Sequence, residues 1–178
     1  MIDRILLDLD GVLVNFVGGA CKLHNKPWPY TKDEQGSWDI ESLFGMTSPA
    51  FWSPLGYEFW RNLDPYPHMH QFVEALERKF GEEHICLLTS PPKQKGAIEG
   101  KIDFIRDHLP QYRRRFLVGP AKEFCASPRH ALIDDSDANI EKFRYAGGQV
   151  FLVPGPWNHR FKEEPLPALL EWLDSNPS

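Results

Sequence analysis

The sequence is poor in cysteine, in basic excess and in long apolar runs. Its three cysteines, Cys21, Cys86 and Cys125, are odd in number and widely spaced. They form neither a disulfide framework nor a thiolate zinc set, and a reduced cytoplasmic protein is the expected setting. No uninterrupted apolar stretch approaches the ~20 residues that span a bilayer. Asp3, Asp8 and Asp10 interrupt the apolar N-terminus, so neither a membrane partner nor a signal peptide is expected. The net charge is −5, with acidic and basic residues mixed. That excludes the extended basic face required for binding nucleic-acid backbone. Repeats and low-complexity segments are absent as well.

What is present begins with Ile5-Leu6-Leu7-Asp8-Leu9-Asp10-Gly11. An apolar run without polar alternation fits a central parallel strand covered on both faces. In open α/β sheets, ligand sites lie off the carboxyl ends of the strands, which is where Asp8 and Asp10 fall. Two carboxylates this close repel unless a cation or a shared proton relieves them, and Mg²⁺ suits such oxygen donors. The plainer alternative, weighed below the metal reading, is that Asp10 only caps a helix beginning near Gly11.

The rest of the chain repeats the strand-then-helix pattern. Strands are expected at 85–88, 116–118, 131–133 and 150–153. Helices are expected at 14–24, 68–80, 96–109, 136–146 and 166–173, with Ile98, Ile102 and Ile105 facing inward on the third. Between the first strand and the second helix the character changes. Nine of the 23 aromatic residues fall between Trp28 and Trp60, and prolines break the segment repeatedly. The predicted architecture is therefore α/β: a three-layer, Rossmann-like parallel sheet with a small, mainly helical cap inserted after the first strand. The boundaries expected are 1–15 with 68–178 for the core and 16–67 for the cap.

Three apolar runs end alike, at Asp8, at Thr89-Ser90 and at Asp134-Asp135. In a parallel sheet these ends share one edge. The set allows phosphoryl transfer through a covalent intermediate, with Asp8 attacking phosphorus and Asp10 as general acid and base. Magnesium held by Asp8, the Asp10 carbonyl and Asp134 would offset the charge, and Thr89 with nearby backbone N–H groups would hold the phosphate. A lysine completes the balance: Lys122, after the third strand, is the first choice and Lys93 the second.

Asp8-Leu-Asp10-Gly-Val-Leu, Leu-Leu-Thr89-Ser90, Lys122 and Leu-Ile-Asp134-Asp135 together resemble the four motifs of the haloacid dehalogenase (HAD) superfamily. The continuation Val14-Asn15-Phe16-Val17-Gly18-Gly19, and Thr89-Ser90-Pro91 with Lys93 beyond, is similar to the 5′(3′)-deoxyribonucleotidases. The resemblance implies Asp8 as nucleophile, Asp10 as acid and base, and Thr89 with Lys122 on the phosphate. It also implies Asp134 on the metal, Asp135 beside it, and Phe16 on the wall of a nucleoside pocket.

The expected function is thus magnesium-dependent hydrolysis of nucleoside monophosphates in the cytoplasm, with Phe16 and one of Phe59 or Trp60 flanking the base. Competing readings are a phosphatase for a sugar phosphate or a nucleic-acid end, and a catalytically silent domain that binds a phosphorylated ligand or a protein. The oligomeric state is open, a homodimer included.

Overall fold

In the computed structural model, which describes residues 1–90 and 92–176, five short strands form one parallel sheet. They are β1 (Arg4–Leu7), β2 (Ile85–Thr89), β3 (Phe116–Val118), β4 (His130–Asp134) and β5 (Gln149–Leu152), in the order β3-β2-β1-β4-β5. The expected α/β fold with a parallel sheet is present, and β1 is its central strand. Among the described residues eight α-helices accompany it. The first four are α1 (Phe16–His24), α2 (Ile40–Leu43), α3 (Ser48–Trp52) and α4 (Tyr57–Arg61). The others are α5 (Met69–Phe80), α6 (Ala97–His108), α7 (Asp137–Tyr145) and α8 (Pro165–Ser175).

Each apolar run serves two cores, because successive strand side chains point to opposite faces. Ile5, Leu7, Ile85, Leu87 and Ile133 pack with residues of α5, α6 and α8 in the larger cluster. Leu6, Leu88, Leu132 and Leu152 form a second cluster, closed by Ile140 and Phe143 of α7. The register aligns Leu7 with Leu87 on one side and Ile133 on the other. Asp8, Thr89 and Asp134 therefore leave the sheet at the same edge, which is how three separate runs come to share one site.

The segment carrying α1–α4 leaves and re-enters the sheet domain side by side. Asn15 N donates to Asp64 O at 2.9 Å and Tyr66 N to Leu13 O at 2.8 Å. Val14 is held in bridges to Asp10 and Pro65, so α1 starts at Phe16 and not at residue 14. The Asn15 side chain caps it by accepting from Gly18 N at 2.9 Å. Phe16, Phe44, Phe51 and Trp60 belong to the same continuous core as Ile5 and Leu7. In packing, the aromatic segment and the sheet domain are thus one body.

The helix α6 is turned relative to expectation. Its buried face is Ala97, Gly100, Lys101, Phe104 and Ile105, while Ile98 is 38% exposed and Ile102 only half-buried. The two stripes lie about one residue apart on the helix surface, and tertiary packing chose between them. Helix α4 lies against Gly100, where a β-carbon would strike the Tyr57 carbonyl oxygen and crowd Trp60. Tyr57 Oη also donates to Asp103 at 2.8 Å. Phe104→Ala is accordingly expected to cost about 3–5 kcal/mol in urea unfolding, and Ile98→Ala less than about 1 kcal/mol. Equal costs would contradict this helix phase.

Candidate active site

At the carboxyl edge of the sheet Asp8, Asp134 and Asp135 are buried, with one ligand oxygen from each within 4.8 Å of the others. Lys122 starts a 3₁₀ turn after β3 and is 2% exposed. Its Nζ lies 2.7 Å from Asp8 Oδ1 and 2.7 Å from Asp134 Oδ2. The Asp134 carboxylate is fixed further by Ser136 N at 2.9 Å and Asn139 Nδ2 at 3.1 Å. Asp8 Oδ1 is held through its contact with the Lys122 ammonium.

Three buried carboxylates around one buried ammonium leave a surplus of negative charge. Burial pushes Asp8 up to about 7, with Lys122 pulling down and Asp134 and Asp10 adding to the rise. Burial, then Asp134 and Asp8, hold Asp135 well above the carboxylate range. Burial alone would lower Lys122, yet Asp8 and Asp134 outweigh it and hold the ammonium above its ordinary range. A cluster of hard oxygen donors with excess charge is compatible with a divalent metal site.

The turn after β1 fits closely around this cluster. Gly11 has φ +80°, and a β-carbon there would run into the Asp135 carboxylate and against Trp157. Asn158 donates to Asp135 O at 2.9 Å and Val153 O at 2.8 Å, which anchors the loop after β5. That loop, for which the sequence offered no role, brings Trp157 against Tyr30 and Trp38.

Asp10 stands at the rim, its side chain 20% exposed, and is paired with Lys101. Sequence reasoning missed this lysine. It is 3% exposed and donates to Asp10 Oδ2, to Thr89 Oγ1 at 3.0 Å and to Ser90 O at 2.8 Å. Its Nζ also lies 4.3 Å from the centre of the Trp60 ring. The signal was a lysine in the stripe Ala97, Lys101, Phe104 and Ile105, hidden by the choice of the isoleucine stripe. Lys93 is not brought to the carboxylates. It is exposed and lines a neighbouring hollow with Glu41, Ser48, Trp52, Pro92 and Gln94. Pro91, quoted in the Thr89-Ser90-Pro91 pattern, lies outside the described residues.

A hollow of about 170 Å³ opens beside Asp10, bounded by Phe16, Trp38, Trp52, Trp60, Ser90, Pro92 and Lys101. Phe16 lies nearly parallel to Trp60, with centroids 5.3 Å apart, and to Trp52 at 5.9 Å. Phe59 is not on this wall; it meets Phe16 edge-on at 5.9 Å and packs behind it near Gly19. Trp38 and Trp52, which no spacing singled out, take the place expected for it. A larger hollow of about 360 Å³, behind Gly11 and lined by Trp28, Tyr30 and Tyr66, is bordered by Glu163 and Glu164 and not by Asp8, Asp10, Asp134 or Asp135.

Solved structures of HAD hydrolases share this fold. A hydrolase from Pseudomonas syringae superposes with a TM-score of 0.55 at 16% identity, over 99% of this chain and 100% of that one. A HAD family hydrolase from Deinococcus radiodurans R1, solved with phosphate and sodium, gives 0.53 at 16% identity, over 86% and 82%. Comparison with curated proteins gives no match. The family model over residues 1–174, with this fold and carboxylate edge, places the chain in the class of HAD-type phosphatases. Residues 1–174 match the family described as "5' nucleotidase, deoxy (Pyrimidine), cytosolic type C protein", and the chain belongs to that family.

The buried carboxylates make stability depend on pH. Asp8 and Asp135 have folded-state pKa values raised above the ordinary 3.8. Their stabilising contribution is complete below that value and is lost as pH rises through the raised values, about 7 for Asp8. In chelator, melting should be several degrees lower at about pH 8 than at about pH 5, and Asp135→Asn should lessen the drop. A flat profile by scanning fluorimetry would refute the buried-charge account.

Proposed function

We propose that the chain is a magnesium-dependent phosphomonoesterase that hydrolyses nucleoside monophosphates, deoxyribonucleotides above all, to nucleoside and phosphate. The observation that carries this reading is the aromatic hollow opening directly onto Asp10, Ser90 and Lys101. A phosphate at the carboxylate edge leaves its esterified group facing rings that stack well on a nucleobase. Such stacking is worth ~1–3 kcal/mol per base in single-strand binding, enough to favour nucleotides over small aliphatic phosphates. The description of the matching family agrees with that preference. The segment 16–67 acts as a cap over the site, and Lys93 meets the distal end of the substrate beyond Trp52. The three cysteines are unpaired, in keeping with work in the reducing cytoplasm.

In this reading Asp8 attacks phosphorus, forming an aspartyl phosphate as the bond to the ester oxygen breaks. Asp10, protonated, gives its proton to that departing oxygen and releases the nucleoside. Water then attacks the aspartyl phosphate, Asp10 takes the water's proton, and phosphate leaves with Asp8 restored. Thr89, Ser90 and Lys122 hold the phosphate oxygens through both steps. Asp8, the Asp10 carbonyl and Asp134 would hold Mg²⁺, with Asp135 beside it, and the bound ion would neutralise charge shared by nucleophile and phosphate.

The decisive experiment measures phosphate release in magnesium from deoxy- and ribonucleoside monophosphates and from sugar phosphates. Turnover selective for nucleotides, abolished by Asp8→Asn and by chelator, is expected. Turnover of sugar phosphates alone would replace the substrate class, and no turnover at all would leave a binding domain. Trp38, 44% exposed, tests the stacking wall without breaking the core. Trp38→Ala should raise KM for nucleotides about tenfold, within the ~1–3 kcal/mol range of base stacking, and leave kcat nearly unchanged.

A further inference from the structure

Lys101 is a buried cation whose three ammonium hydrogens are matched by three acceptors: Asp10 Oδ2, Thr89 Oγ1 and Ser90 O. Its position is therefore fully determined, and it determines the position of Asp10 in turn. Among the described residues Asp10 Oδ1 accepts no side-chain hydrogen bond, so Lys101 holds one oxygen and leaves the other uncommitted on a residue that lines the hollow. The ammonium also sits on the face of Trp60, which α4 carries. That seat exists only because Gly100, the residue before Lys101, lets α4 approach α6 closely. One lysine thus touches the acid–base group, the phosphate-end hydroxyl and an aromatic ring of the inserted segment.

We infer that Lys101 is a positioning residue that aims Asp10 at the leaving-group oxygen, and that its seat on Trp60 makes leaving-group protonation depend on the docking of α4 against α6. The inference rests on the phosphatase reading above. The step concerned is departure of the ester oxygen: the Asp8–phosphorus bond forms, the phosphorus–oxygen ester bond breaks, and the proton moves from Asp10 to that oxygen. A leaving group that departs as a stable anion needs no such proton. Loss of aim at Asp10 should therefore harm poor leaving groups selectively, whereas general structural damage or weaker phosphate binding would harm good and poor ones alike.

The test compares phenyl phosphate with p-nitrophenyl phosphate, which share a ring and differ in the acidity of the alcohol released. The parameter is kcat/KM, which runs only as far as departure of the first product. Lys101→Met should lower it for phenyl phosphate by about 100-fold, the lower range for general acid catalysis, and for p-nitrophenyl phosphate by less than about fivefold. In an Asp10→Asn background, Lys101→Met should add almost nothing. Gly100→Ala keeps every catalytic group and disturbs only the approach of α4, and it should lower the phenyl ester selectively by about tenfold. It also decides the matter if Lys101→Met does not fold, as judged by circular dichroism and melting. Equal losses on both esters, or no loss on either, would overturn the inference while wild-type turnover left the phosphatase reading intact. A wild-type protein inactive on both esters and on nucleotides would overturn the two together.

Discussion

The constraint on which the site depends is the burial of like charges at one sheet edge. Asp8, Asp134 and Asp135 share a space in which water cannot screen them, and the Lys122 ammonium lies between two of them. The arrangement is costly in isolation, since desolvation and mutual repulsion both disfavour ionisation. The fold holds it by fixing each carboxylate from outside the cluster: Ser136 and Asn139 on Asp134, the Gly11 turn against Asp135, and the sheet register beneath Asp8. The result is a surplus of buried negative charge, compatible with a metal site.

A second cation, Lys101, organises the opposite side of the site. The two lysines divide the work by position. Lys122 sits among the carboxylates at the base, and Lys101 joins the rim carboxylate Asp10 to Thr89 and Trp60. Because Trp60 also lines the hollow, the wall that would meet a base and the group that would protonate its sugar oxygen are mechanically connected. The connection runs through the α4–α6 contact, where Gly100 and the Tyr57–Asp103 hydrogen bond bring the helices close.

Much of this was readable in the chain. Unbroken apolar runs ending in Asp8, Thr89 and Asp134 indicate buried parallel strands, and parallel strands place their carboxyl ends on one edge by geometry alone. The aromatic segment was equally visible as composition. Its internal assignment was not, because stacking partners are chosen in three dimensions. Phe59 and Trp60 are neighbours in sequence, yet a helix sends them to different sides of Phe16.

The helix α6 marks the division most clearly. Its sequence specifies a helix and offers two adjacent stripes, one of isoleucines and one containing Gly100 and Lys101. Hydrophobicity alone favours the first. What decides for the second is a partner outside the helix: α4 fits only over a residue without a side chain, and a buried lysine is tolerated only where acceptors already wait. The sequence by itself determined the alternation of strands and helices, the carboxylate motifs and the class of chemistry, since these follow from local pattern and sheet geometry. The tertiary structure alone decided which lysine meets Asp10 and which rings face the hollow, because those depend on contacts between segments far apart in the chain.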